Sequence, residues 1–136
     1  MTNMLDQQQQ QTLIQAAIDV RAAAYAKYSK YHVGAALLCD GGEIITGCNV
    51  ENASYGLTIC AERVAVFNAV SQGLRQFTAL AIATADGGAP CGACRQVMSE
   101  FSKDLPILLV ACDRGEAITS TSLDVLLPMQ FELEGD

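Results

Sequence analysis

Tryptophan is absent from the 136-residue chain, histidine occurs once, proline three times, and eight basic residues face fifteen acidic ones. The shortage of positive charge leaves a formal net charge of -7. It argues against a nucleic-acid partner, because proteins that grip a phosphate backbone carry a basic stripe. Lys27 and Lys30, with Tyr25, Tyr28 and Tyr31 among them, come nearest to a basic cluster and read as a solvated loop. No apolar run approaches the ~20 residues of a membrane span, so no membrane association is expected. The N-terminal segment MTNMLDQQQQQ has neither a basic start nor an apolar stretch. A secretory leader is therefore not expected, and the cytoplasm is the expected compartment. With His32 alone, imidazole chemistry is scarcely available.

What the sequence does contain is apolar bulk and sulfur. Apolar residues make up 51% of the chain, which excludes extended disorder. A single domain over residues 1–136 is the expectation from length, and such a chain buries roughly 70% of its unfolded surface without needing disulfides. Six cysteines are many for a reducing compartment. Metal binding, catalysis or plain burial are the explanations there.

Residues from about Asp6 to Tyr25 predict one amphipathic helix, with the glutamine run on its exposed first turns. Val33 to Cys39 and Glu43 to Gly47, parted by Asp40-Gly41-Gly42, predict a hairpin. Cys60 to Ser71 predicts a helix with Val64, Phe67 and Val70 as its apolar stripe and Gly73 ending it. Phe77 to Ala83 and Ile107 to Cys112 are nearly unbroken apolar strands, of the kind covered on both faces in a partly parallel sheet. Between them Gly92 to Phe101 predicts a helix entered through Pro90, and Leu123 to Leu127 a short final helix stopped by Pro128. With one more strand near Ala117, the order predicts a three-layer α/β/α domain around a mixed sheet of about five strands.

Two segments at strand-to-helix junctions concentrate unusual residues: Cys60-Ala61-Glu62-Arg63 and Pro90-Cys91-Gly92-Ala93-Cys94-Arg95. Free N–H groups and the positive dipole end at a helix N-terminus stabilise thiolates. Cys91 and Cys94, three apart, can aim their sulfurs the same way, and Cys60 supplies a third from a facing helix end. Three thiolates leave one tetrahedral position of Zn²⁺ open, the arrangement of a catalytic rather than a structural site. Glu62 lies on a different side of its helix from Cys60. A carboxylate off the metal but near its water is placed for proton transfer. Arg63 or Arg95 would offset the surplus negative charge by donating to the sulfurs. A lone C-x-x-C also occurs in zinc ribbons and redox dithiols, but a dithiol leaves Cys60 and Glu62 without a role. Cys39, Cys48 and Cys112 read as packing residues, and His32 as a surface or hinge residue.

The pattern C-A-E followed by P-C-x-x-C resembles the zinc-dependent nucleoside and nucleotide deaminases. The resemblance narrows to small, three-cysteine, homotetrameric cytidine deaminases. It is carried by YAKYSKYHVGAAL, GCNVENASYGLTICAER, PCGACRQVMSEF and LLPMQF, which span nearly the whole chain. It implies a cytidine-deaminase-like fold and hydrolysis of cytidine and 2′-deoxycytidine to uridine and 2′-deoxyuridine, with loss of ammonia. It places Cys60, Cys91 and Cys94 on one Zn²⁺ per subunit, with zinc-activated water attacking C4 and Glu62 shuttling protons. Ala61 matches a backbone contact to the base, and Arg63 a partner of the thiolates. Asn49 and Glu51 match a pair that binds the ribose 3′-hydroxyl; a carboxylate there favours nucleosides over nucleotides.

Tyr55 matches a residue that reaches a neighbouring subunit's site, and Phe131 an aromatic given to the base by another chain. The implied working unit is thus a homotetramer with shared active sites. Two positions depart from the pattern. Tyr31 stands where the family usually has the phenylalanine that packs on the pyrimidine, and its added hydroxyl is expected to tune affinity or reach water. Lys27 replaces a proline and loosens its loop. An aminopyrimidine antibiotic as substrate, a purely structural zinc module and a nucleic-acid editor are the competing functions. Glu51 argues against the first and the acidic balance against the third, while a Glu62→Gln variant discriminates the second.

Overall fold

The structure, a computed structural model, describes residues 5–135. Residues 1–4, the start of the segment in which no secretory leader is expected, lie outside the described part. Helix α1 (Gln7–Arg21) begins at Asp6, whose carboxylate accepts from the Gln9 backbone N–H (2.7 Å) while the Gln9 side chain accepts from the Asp6 N–H (3.1 Å). The glutamine run therefore starts the helix through a reciprocal cap. The helix stops four residues short of Tyr25. There the backbone pairs elsewhere: the Tyr25 N–H donates to Asn49 O (2.9 Å) and Tyr25 O accepts from Glu51 N–H (2.8 Å).

Strands β1 (Gly34–Cys39) and β2 (Ile44–Cys48) form the expected hairpin. They join β3 (Phe77–Thr84), β4 (Pro106–Ala111) and β5 (Ala117–Ser122) in the order β2-β1-β3-β4-β5. Only β3 and β4 run parallel, so the sheet is mixed. Side chains alternate between its faces. Ala36, Leu38, Ala79, Ala81, Leu108 and Val110 pack with Leu13 and Ala17 of α1. On the other face Ala35, Leu37, Leu80, Ile82, Ile107 and Leu109 pack against α2 (Ala61–Ser71) and α3 (Gly92–Ser99). The short α4 (Leu123–Leu126) adds Leu123 to the same side. These are the three layers expected. Among the described residues no helix is long and apolar enough to cross a membrane.

The buried face of α2 is not the expected stripe. Ala61, Glu62, Ala65, Val66 and Ala69 face inward, while Phe67 is 49% exposed and Val64 and Val70 are only half-buried. The cause is close approach to β2. A Cβ at Gly47 would lie 2.4 Å from Ala65 N and 2.7 Å from Ala61 O, so the helix backbone rests almost on the strand. Only small residues fit at that contact. Gly73, at φ 83°, ends the helix as expected. Cys39 is buried, but Cys48 and Cys112 are only half-buried.

Candidate active site

Cys60 and Cys91 are the N-cap residues of α2 and α3. Both have extended backbones and no side-chain capping bond, so their sulfurs are free to turn toward each other at two helix N-termini. Cys94, one turn into α3, is buried beside them. The Cys60 and Cys91 Sγ atoms are 3.8 Å apart, those of Cys91 and Cys94 3.5 Å, and all three lie within 4.8 Å of one another. Three thiolates on a tetrahedral Zn²⁺, with Zn–S near 2.3 Å, would be separated by about 3.8 Å. The sulfurs thus fit one zinc ion. They form the one such cluster of potential ligands found among the described residues, and Glu62 is not part of it.

Arg63 donates from Nη2 to Cys60 Sγ at 3.5 Å, and its Nε is buried with no protein partner. Arg95 does not serve the sulfurs. Its Nε donates to Pro90 O (2.7 Å) and its Nη1 to Leu126 O (2.8 Å), which ties the loop before Cys91 to α4. From the protein groups alone, the hydrogen bond with Cys94 brings Cys60 down to about 5, aided by Arg63 and opposed by burial. The same contact and burial push Cys94 up, and the Cys60 sulfur holds the Arg63 guanidinium firmly charged. A metal ion would displace the remaining thiol protons.

Glu62, 5% exposed, projects from the first turn of α2 into the same cleft. Burial pushes its carboxyl up to about 7 against the effect of its own backbone N–H, and the charge on Cys60 adds to the rise. A carboxyl balanced near neutrality both accepts and returns a proton. The loop to Cys91 leaves the carboxyl end of β3, the edge at which parallel strands of α/β sheets present their sites.

The cleft holds about 290 Å³, a space for a small molecule. Tyr31, Asn49, Glu51, Tyr55, Cys60, Ala61, Glu62 and Cys91 all line it. Cys94 and Arg63 lie behind it. Asn49 accepts from Val33 N–H (2.9 Å) and donates to Tyr31 O (2.8 Å). Glu51 accepts from the backbone N–H groups of Tyr28 (2.8 Å) and Ser29 (3.0 Å) and from the Ser29 hydroxyl. The Ser29 hydroxyl bond is the main reason its carboxyl is held below the usual range. Both side chains therefore hold up their own loop, and Glu51 keeps spare acceptor capacity. Tyr55 stands at the rim of its own chain's cleft, edge-on to Tyr28 at 6.4 Å.

Phe131 is not in the cleft. It is 68% exposed, and its carbonyl accepts from Gln96 Nε2 (3.2 Å). The Tyr31 hydroxyl donates to Asp86 Oδ1 at 2.7 Å. Ser29, Thr58, Thr84, Gly88 and Ala89 also line the cleft and were not anticipated. The run Thr84-Ala85-Asp86-Gly87-Gly88, a turn-forming cluster after an apolar strand, was the available signal for Thr84 and Gly88.

A sequence profile described as the cytidine and deoxycytidylate deaminase zinc-binding region matches residues 7–109. Cytidine deaminase of Sporosarcina psychrophila is 47% identical over 125 residues, covering 90% of each chain. That of Halalkalibacterium halodurans is 46% identical over 126 residues, covering 91% of this chain and 95% of its own. The crystal structure of cytidine deaminase from Burkholderia pseudomallei superposes with a TM-score of 0.85 at 45% identity, covering 94% of this chain and all of that one. The profile spans both helix starts that carry the sulfurs, and the solved fold has the same architecture. The chain is an enzyme belonging to the cytidine and deoxycytidylate deaminase family.

Proposed function

We propose that the chain is a single-domain cytidine deaminase that hydrolyses cytidine and 2′-deoxycytidine to uridine and 2′-deoxyuridine and releases ammonia. The observation that carries this reading is the buried Glu62 carboxyl, poised near pH 7 in a cleft it shares with three sulfurs spaced for zinc. Cys60, Cys91 and Cys94 would hold a zinc ion, whose Lewis acidity would lower the pKa of a water molecule in the cleft. Glu62 takes a proton from the attacking water and delivers it to ring N3, because attack at C4 is easier on the protonated ring. It then takes the remaining proton from the new C4 hydroxyl and passes it to the departing amine, so that ammonia leaves as the C4 carbonyl forms. Arg63 offsets part of the charge of the thiolates through its bond to Cys60. Ala61 offers its backbone to the base. Tyr31 walls the pocket with an apolar ring face.

Asn49 and Glu51, while bracing their loop, take the sugar 3′-hydroxyl with their remaining donor and acceptor sites. A carboxylate at that point repels a phosphate, which favours nucleosides. In a homotetramer Tyr55 and the exposed Phe131 serve sites shared between subunits. Free thiols throughout and a zinc–thiolate centre fit a cytoplasmic setting.

The test is a substrate panel with the zinc-loaded protein, read by chromatography of the products. Cytidine and deoxycytidine should yield uridine and deoxyuridine with one equivalent of ammonia, while cytidine monophosphate and aminopyrimidine antibiotics react far more slowly. Absence of conversion of both nucleosides would overturn the proposal.

A further inference from the structure

The segment from Ala85 to Pro90 joins β3 to the Cys91 ligand without regular secondary structure, yet Gly88 and Ala89 form part of the cleft wall. Its inner anchor is Thr84, whose hydroxyl accepts from the N–H groups of Gly87 (2.7 Å) and Gly88 (3.1 Å). Its outer anchor is Asp86 Oδ1, which takes Gly88 N–H (3.2 Å), the Thr84 hydroxyl (3.3 Å) and the Tyr31 hydroxyl (2.7 Å). The last of these spans 55 positions of sequence and is the shortest of the three. Gly88 makes room for it: a Cβ there would lie 3.2 Å from the Tyr31 oxygen.

On its own side Tyr31 follows Lys30, which has left-handed backbone (φ 63°), so no strand or helix sets the direction of its ring. Backbone bonds from Tyr31 N–H to Ser29 Oγ (3.0 Å) and from Asn49 Nδ2 to Tyr31 O (2.8 Å) fix the main chain but do not reach the ring. The hydroxyl bond to Asp86 ties down the outer end of the ring. The Tyr31 hydroxyl is also the main reason the Asp86 carboxyl lies below its usual range.

We infer that the Tyr31–Asp86 hydrogen bond is a positioning clamp: it locks the ring of Tyr31 and the segment 85–89 against each other and so sets the width of the slot that receives the pyrimidine. The inference rests on the proposed deamination for its substrate, but the clamp itself is a property of this chain. Neither residue touches the sulfurs, so the clamp acts on binding of the base rather than on the chemical step.

Tyr31→Phe removes only the hydroxyl, whereas Asp86→Ala removes its acceptor together with the bonds Asp86 takes from Gly88 N–H and the Thr84 hydroxyl. Each should raise KM for cytidine roughly 3- to 10-fold, with kcat held within about twofold and zinc content unchanged. Because the bond lost in Tyr31→Phe is also lost in Asp86→Ala, the double variant should be no worse than Asp86→Ala alone. Asp86→Asn retains an oxygen that accepts from Tyr31 and should stay within about twofold of wild type. Without any substrate, amide exchange in 85–89 should be faster in Tyr31→Phe and Asp86→Ala than in wild type. An unchanged KM in Tyr31→Phe, effects that multiply in the double variant, or unaltered exchange would each overturn the clamp. Should wild type fail to deaminate cytidine, the proposed function falls and the exchange comparison alone decides the clamp.

Discussion

Glu62 is a buried acid that feels the charge of Cys60, and its titration has a consequence for stability. With its folded pKa raised from 4.5 to about 7, the neutral carboxyl contributes stability that is fully present below pH 4.5 and lost as pH rises through 7. That loss is about 3 kcal/mol in the chelator-stripped protein. Cys60 moves the other way, because its stabilised thiolate is lost as pH falls through about 5. It is common to wild type and Glu62→Gln, so it cancels to first order in their difference. Urea melts of the two stripped proteins should show wild type losing ground to Glu62→Gln between about pH 4.5 and 7, then a constant gap. A pH-independent gap would mean that Glu62 titrates normally.

Residue types and spacing carried the metal centre well, because C-A-E and P-C-x-x-C sit at helix starts that local sequence announces. Long-range contacts were out of reach. Nothing near Tyr31 points to Asp86, 55 positions away, so its hydroxyl was expected to tune affinity or meet water. Arg63 and Arg95 looked equivalent as thiolate partners, yet only the first reaches a sulfur.

Among the elements, α2 matters most, since it positions Cys60, Glu62 and Arg63 together. Its seat on β2 depends on Gly47. Gly47→Ala must push helix and strand apart, because the atoms in the way are backbone. A loss of roughly 1–3 kcal/mol in denaturant melts should follow, with weaker zinc retention under a competing chelator. Unchanged zinc retention would show that the α2 seat does not govern the sulfur cluster.

Hydropathy made the sheet legible, because β1, β3 and β4 are covered on both faces and read as apolar runs. It misassigned the buried side of α2 for a physical reason. Bulk and hydrophobicity favoured Val64 and Phe67, whereas the close contact with Gly47 admits only alanine-sized side chains. The end of α1 was missed similarly, through the pairing of Tyr25 with the chain around Val50.

At the scale of the whole molecule, the outward apolar groups are conspicuous. Tyr55, Leu57 and Phe67 near α2 are each about half or more exposed, as are Val125, Met129 and Phe131 near the C-terminus. In the proposed homotetramer these two groups would lie in the contacts between copies of the chain. Native mass spectrometry should find a species at four times the 14.4 kDa chain mass. If Phe131 serves a neighbour's site, Phe131→Ala should raise KM. Mixing Phe131→Ala with Glu62→Gln subunits should then recover activity beyond the average of the two pure proteins. A monomer, or mixtures that merely average, would rule out shared sites.

Proton transfer by Glu62 at a three-thiolate zinc centre is the central claim, and paired metal analysis and turnover of wild type and Glu62→Gln test it most directly. The account predicts about one zinc per chain in both proteins, with cytidine turnover about 10²- to 10⁴-fold lower in the variant. Near-normal turnover by zinc-loaded Glu62→Gln would contradict it.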